Sequence, residues 1–347
     1  MEKRIPYQGK LVALLVLALL MSACATGVAT PASSATSSIT TLAMENTPTA
    51  QPSPSPPATK AACPPLDADI QERMRLIESQ VSQLRGLEAQ ASVQHSLLTR
   101  DQLAEKVELD LLADYSDQEA VQDARLLLLL GLIEPDVPLR ELYLELLGEQ
   151  VAGFYDSEAE ELVIVCDDGF SGVDQVTYAH EYVHVLQDQV FDLEAGLEYS
   201  DEACQASGER CFALQALIEG DASLLQEQWL RTFGLEQVLP ELLAFFDEFE
   251  MPVFDAAPTY IQAELTFPYL EGLTFTRALY LSGGWAAVDA AYRNPPVSSE
   301  QILHPDRYPR DLPVTFDPPD LAGVLGSDWS ELVSDSLGEW VTRTMLQ

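Results

Sequence analysis

The stretch Tyr178-Ala179-His180-Glu181-Tyr182-Val183-His184-Val185-Leu186 governs the reading of this chain. It lies within Val176 to Val190, a run with helical spacing of its apolar residues. Residues four apart on a helix share a face about 6 Å apart, so the imidazoles of His180 and His184 can both reach one metal ion at about 2.1 Å. Glu181 sits beside such an ion rather than on it. There it can take a proton from a water whose pKa the metal lowers toward about 7. Only 4 histidines occur in 347 residues, and a chance HExxH has odds of roughly half a per cent. The bland alternative is a helix that carries two histidines for packing alone.

A catalytic zinc needs a third protein ligand and an open fourth position. The position at which a further histidine would extend the motif is Val190, so the expected source is a carboxylate on another helix. Ala216-Leu217-Ile218-Glu219-Gly220-Asp221-Ala222 supplies one. Glu219 stands in an apolar helical run of about Phe212 to Phe233, where a lone carboxylate is costly to bury unless paired or metal-bound. The small Gly220 and Ala222 allow close approach to the HExxH helix. Asp221 is a rival ligand. Asp188, Asp192, Glu194 and Glu198 read as solvated or capping groups.

Here the chain resembles the gluzincins, the thermolysin-like branch of the zincin metallopeptidases, over about residues 150–235. The resemblance implies Zn²⁺ held by His180, His184 and Glu219, with Glu181 as the base that activates water. It also implies a zincin-like core in which the strand before the motif helix receives a peptide substrate as an added strand. The branch carries Asp four residues after the ligand glutamate; Ser223 stands there, and Asp221 or another acid is left to orient a zinc histidine. Related enzymes stabilise the oxyanion with a downstream His or Tyr. His304 is the candidate histidine, against a packing role for it in the C-terminal region; Tyr260, Tyr269, Tyr280 and Tyr308 are rival donors. The strings HEYVHVLQDQ, EGDA and SSEQILHP also look like those of uncharacterised bacterial exported lipoproteins with a predicted peptidase domain.

Working outward, Val151 to Tyr155 and Leu162 to Cys166 read as a β-hairpin turning at Asp156 to Glu160. Upstream, Ile70, Met74, Ile77, Val81 and Leu84 form the seam of an amphipathic helix, which either packs on the domain or meets a coiled-coil partner. Thr99 with Gln102, and Ser116 with Glu119, fit capping boxes. Leu126 to Leu130 is apolar all round and is expected to be buried. Residues 138–150 continue as helix. Beyond 235, Pro240, Pro252, Pro258, Pro268, Pro295 and Pro296 predict shorter helices and loops. The fold class is therefore α+β, predominantly helical, with a small sheet or hairpin before the motif helix.

The N-terminus reads as an address. Lys3, Arg4 and Lys10 precede the apolar run Leu11 to Met21, too short for a comfortable bilayer span. Met21-Ser22-Ala23-Cys24 resembles a bacterial lipobox, which implies a lipoprotein signal peptide over 1–23 and lipidation of Cys24. Residues 24–62, rich in Ser, Thr and Pro, read as a disordered tether. Residues 63–150 then form a helical N-terminal region, 151–235 the metal-binding core and 236–347 a mostly helical C-terminal lobe. The even set Cys63, Cys166, Cys204 and Cys211 suits an oxidising compartment. The close spacing of Cys204 and Cys211 suits a disulfide, and Cys63 with Cys166 would then pin the start of the fold to its middle. A zinc-ligating cysteine is the competing reading, though the chain has no CxxC pair.

A net charge of −38, from 56 acidic and 18 basic residues without a basic stripe, excludes nucleic acid as a partner. The expectation is a zinc-dependent peptidase in the bacterial cell envelope, lipid-anchored to the membrane outside the cytoplasm and acting on peptide or protein. A binding or scaffold lipoprotein that keeps the fold without catalysis is the alternative. Oligomeric state is not legible.

Overall fold

The computed structural model describes residues 63, 67–106, 109, 115–150, 153–157, 159–165, 170–236, 238–314, 321–326, 328–329 and 335–346. The expected signal segment, Cys24 and the tether fall outside the described residues. No helix among the described residues is long and apolar enough to cross a membrane.

In chain order the elements begin α1 (Ala68–Arg85), β1 (Gln94–Leu98), α2 (Arg100–Lys106), α3 (Asp117–Leu129), α4 (Leu139–Gln150), β2 (Gly153–Asp156) and β3 (Glu161–Val165). They continue α5 (Gly172–Phe191), α6 (Asp201–Ala206), α7 (Gly208–Trp229), a π-helical turn (Leu230–Gly234), α8 (Leu239–Glu248) and α9 (Pro252–Ala256). The last are α10 (Thr259–Gly283), α11 (Trp285–Arg293), α12 (Ser299–Leu303), α13 (Leu321–Leu325) and α14 (Glu339–Met345). The described residues are thus predominantly helical with one small sheet.

That sheet has three strands in the order β1-β3-β2. β2 and β3 form the antiparallel hairpin, pairing Phe154 with Val163 and Tyr155 with Leu162. β1 pairs parallel to β3, Ser96 opposite Val163. This strand has no sequence counterpart in the expectations. Gln94, His95 and Ser96 give it neither β-branched content nor alternation, and only the partner strand selects it.

α1 begins at Asp67, whose carboxylate accepts from the Ile70 amide at 2.7 Å, and ends at Gly86 with φ 72°. Its seam buries Met74, Ile77 and Val81 against α5 and α7, so it packs on the domain. Both expected capping pairs form: Thr99 with Gln102, and Ser116 with Glu119. The leucine run of α3 departs from expectation. Leu126, Leu128 and Leu129 are exposed, Leu129 by 84%, while Leu127 and Leu130 pack on the core. Consecutive leucines point round the whole helix, and a surface helix buries only one face.

The region after 235 also differs, because α10 runs unbroken past the buried Pro268. A proline inside a helix costs about 3 kcal/mol; burial of Tyr260, Ile261, Leu265, Phe267, Leu273 and Phe275 offsets it. α10 lies along α7 more extensively than any other pair of elements. Their crossing is at Gly220 and Gly272. A Cβ on Gly272 would stand 2.1 Å from the Ala216 carbonyl oxygen, and one on Gly220 2.2 Å from the Gly272 backbone. Apolar residues of α7 belong to both hydrophobic cores, one with the sheet, α1 and α5, the other with α3, α4 and α10.

Cys204 and Cys211 form a disulfide that ties α6 to α7, with Cα atoms 5.3 Å apart. Cys63 is also disulfide-bonded; its expected partner Cys166 lies outside the described residues.

In the second core, Glu264 is buried and accepts from Tyr260 at 3.1 Å and Tyr143 at 3.2 Å. Burial pushes its carboxyl up from 4.5 to about 7, against the pull of the two hydroxyls. Between those values the folded chain keeps a proton that the unfolded chain has released. The group's stabilising contribution is complete below about pH 4.5 and is lost as pH rises through about 7. Thermal midpoints should therefore fall between pH 5 and pH 8. Glu264→Gln should flatten that fall by up to about 3 kcal/mol, read by unfolding scans across the range.

Candidate metal centre

α5 opens with a capping box in which the Ser171 hydroxyl accepts from the Asp174 amide and the Asp174 carboxylate accepts from the Ser171 amide. It closes at Asp192, with φ 55°, whose amide donates to the Asp188 carbonyl. Between these caps, Val176 to Gln187 are all buried. That buries His180, Glu181 and His184 in the protein interior, between the hairpin and α7.

One ligand-capable atom from each of His180, Glu181 and His184 lies within 4.8 Å of the others. From α7, Glu219 Oε2 stands 3.2 Å from His180 Nε2 and 3.5 Å from His184 Nε2. Two ligands bonded at about 2.1 Å to one tetrahedral ion stand about 3.4 Å apart, so these spacings suit a shared ion. Three buried atoms here have no hydrogen-bond partner: Glu181 Oε1, His184 Nε2 and Glu219 Oε1. Buried polar atoms are ordinarily paired. Two imidazoles and a carboxylate at these spacings, in a buried cluster that leaves nitrogen and carboxylate oxygen unpartnered, are a donor set that a borderline divalent cation takes.

The other face of each group is held. Tyr155 on β2 donates its amide to Glu181 Oε2 at 3.0 Å, which fixes the carboxylate beside the histidines. His180 Nδ1 meets Gln226 Oε1 at 3.1 Å, and His184 Nδ1 meets Gln187 Oε1 at 2.8 Å. Gln187 Nε2 donates to the Ile218 carbonyl at 3.0 Å and to Asp221 Oδ2 at 3.1 Å. Both imidazoles therefore have their Nδ1 turned to an amide oxygen and their Nε2 turned to Glu219.

Electrostatics follow from burial and close charge. Burial pushes Glu181 up to about 8, with Glu219 adding to it and His184 opposing. Burial also disfavours charge on Glu219, but His184 and His180 outweigh it and hold the carboxyl down at about 2. Burial would lower His184, yet Glu219 overrides it and the imidazole rises to about 9. For His180 burial prevails and the pKa is lowered. Without a metal, a proton on His184 is the positive charge that answers Glu219.

The expected site residues separate clearly. His180, Glu181, His184 and Glu219 come together. Asp221 does not face them; it accepts from Gln187, from Tyr292 at 2.8 Å and from Arg85. Ser223 is buried on α7. Asp188 accepts from the Tyr155 hydroxyl and the Leu193 amide, and Asp192 from the Ala195 amide, in line with capping work. His304 caps α12 and its Nε2 meets both Glu339 oxygens at 3.0 and 3.1 Å, on elements that pack at α7, α10 and α14. Of the tyrosines, Tyr260 is engaged with Glu264 and Tyr308 donates to the Asn294 carbonyl. Tyr280 stacks edge-on with Trp285. Tyr269 stands beside the centre, its ring centroid 6.3 Å from that of His180.

Gln187, Gln226, Arg85 and the Tyr155 amide were not legible as site groups. Gln187 had a signal: it lies three residues after His184, on the same helical face. The others are brought in from elsewhere in the fold.

No family model, curated protein or solved structure matches the chain.

Proposed function

We propose that the chain is a zinc-dependent peptidase, held outside the cytoplasm by a lipid on Cys24. The observation that carries the reading is Glu219 Oε2 at 3.2 Å from His180 Nε2 and 3.5 Å from His184 Nε2, in a buried cluster where His184 Nε2, Glu219 Oε1 and Glu181 Oε1 have no hydrogen-bond partner. His180, His184 and Glu219 are the proposed ligands, and neutral imidazoles with a carboxylate favour zinc among the common divalent ions. When bound, zinc supplies Lewis acidity toward the scissile carbonyl and a water of lowered pKa.

The remaining work falls to side chains of this chain. Glu181 accepts the water's proton and returns it to the leaving amine, a role suited to a carboxyl with raised proton affinity. Tyr155 keeps Glu181 aimed through its amide. Among the described residues β2 is the outer strand of the sheet next to Glu181, and a peptide is proposed to lie along it as an added strand. Tyr269 is the proposed hydrogen-bond donor to the oxyanion, chosen over His304 because His304 is committed to Glu339. Tyr269→Phe is expected to lower kcat about 10²-fold with little change in KM, measured on a peptide substrate.

The test of the reading is metal dependence. Purified full-length protein should contain zinc and cleave an unfolded protein substrate. A chelator should abolish cleavage and lower the thermal midpoint, and added zinc should restore both. Stoichiometric zinc with no cleavage of any unfolded substrate would leave a metal-binding protein and overturn the peptidase reading.

A further inference from the structure

We propose that Arg85, on the N-terminal helix α1, is a positioning residue for the metal centre, acting through Asp221 and Gln187 on His184. The inference rests on the reading of His184 as a ligand. Arg85 and Asp221 side chains are wholly buried, both at 0% exposure. Arg85 Nε donates to Asp221 Oδ1 at 2.9 Å and Nη2 to Oδ2 at 3.1 Å. Nη2 also pairs with Asp289 on α11 at 2.8 Å, and the guanidinium lies 4.5 Å from the Trp285 ring centroid.

The fork fixes the plane of the Asp221 carboxylate. A fixed Oδ2, together with the Ile218 carbonyl, gives Gln187 Nε2 two acceptors. The amide then has one satisfactory orientation, with Oε1 toward His184 Nδ1. An oxygen there requires a proton on Nδ1, which leaves the Nε2 lone pair for the metal. Were Asp221 free to turn, the Ile218 carbonyl alone would hold Gln187 Nε2, and a flip that presents the NH₂ to Nδ1 and favours the tautomer with hydrogen on Nε2 would cost less. That tautomer cannot bind an ion through Nε2. A buried ion pair also tends to be a poor source of stability compared with apolar packing, and its contact with the ligand network gives it a use.

The experiment compares zinc affinity, by chelator competition, in wild type, Arg85→Lys, Gln187→Met and the double variant of the full-length chain. Metal-free thermal midpoints are recorded alongside. Lysine keeps the charge and removes the fork; Arg85→Lys is expected to weaken zinc binding about tenfold, and Gln187→Met about 10- to 100-fold. If Arg85 acts through Gln187, the double variant binds no more weakly than Gln187→Met alone. Losses that multiply, or an Arg85→Lys affinity equal to wild type, would overturn the inference while leaving the metal centre standing. A wild type that binds no zinc would overturn the centre, and this inference with it. If Arg85→Lys does not fold, the neutral pair Arg85→Met with Asp221→Asn takes its place under the same two criteria.

Discussion

Glu181→Gln should reduce hydrolysis about 10²- to 10⁴-fold while zinc content stays at the wild-type level. Glutamine matches glutamate in shape, and its carbonyl oxygen can still accept from the Tyr155 amide now bonded to Glu181 at 3.0 Å. What it lacks is any capacity to take a proton near neutral pH. The same change has an opposite effect on stability. Burial pushes Glu181 up to about 8, so near pH 7 unfolding releases a proton that the folded chain holds, which favours the unfolded state. The metal-free variant should therefore melt at a higher temperature than metal-free wild type, by an amount corresponding to several kcal/mol at most. Steady-state rates with metal analysis check the first claim, and calorimetry without metal the second. A variant that keeps its rate would remove Glu181 from the chemistry.

Gly272→Ala, like Gly220→Ala across the same crossing, should be strongly damaging. The new Cβ would fall 2.1 Å from the Ala216 carbonyl oxygen and 2.9 Å from its carbon, both backbone atoms that no rotamer change can move. α7 and α10 must separate along their whole contact. Overpacking of this kind costs about 3 kcal/mol or more, a large part of a domain's stability. Glu219 rides on α7 and Tyr269 on α10, so zinc affinity and turnover should fall with it. Denaturant unfolding measures the first effect and chelator competition the second. Gly283→Ala, at the last position of the same helix, meets only the Ala287 side chain at 3.2 Å and serves as the mild control.

The parts of the fold that could be read from the sequence are those specified within a turn or two of chain. The motif helix, the Ser116 cap, the β2–β3 hairpin and the seam of α1 each carry their own periodicity or capping residues. Glu219 was readable because a carboxylate in an apolar helix needs a reason to be there. β1 was not, since five residues beginning Gln-His-Ser become a strand only by pairing with β3. The length of α10 was hidden by Pro268, whose local penalty is outweighed by packing that the local sequence does not announce. The exposed leucines of α3 show the reverse case, in which composition suggests burial and the surroundings supply only one covered face. His304 was attractive as a downstream histidine, yet its partner Glu339 lies 35 residues away.

Arg85 and Asp221 are 136 residues apart in the chain. Closing a loop of that length costs chain entropy, which the packing of α1 on α5 and of α5 on α7 reduces by shortening the loop. A chain emerging from a ribosome delivers α1, with its guanidinium still hydrated, before Asp221, which follows the whole hairpin and motif helix. The orientation of Gln187 toward His184 is then expected to be reached only after α1 and α7 have met. A chain cut before α7 would carry the motif without Glu219 or Asp221.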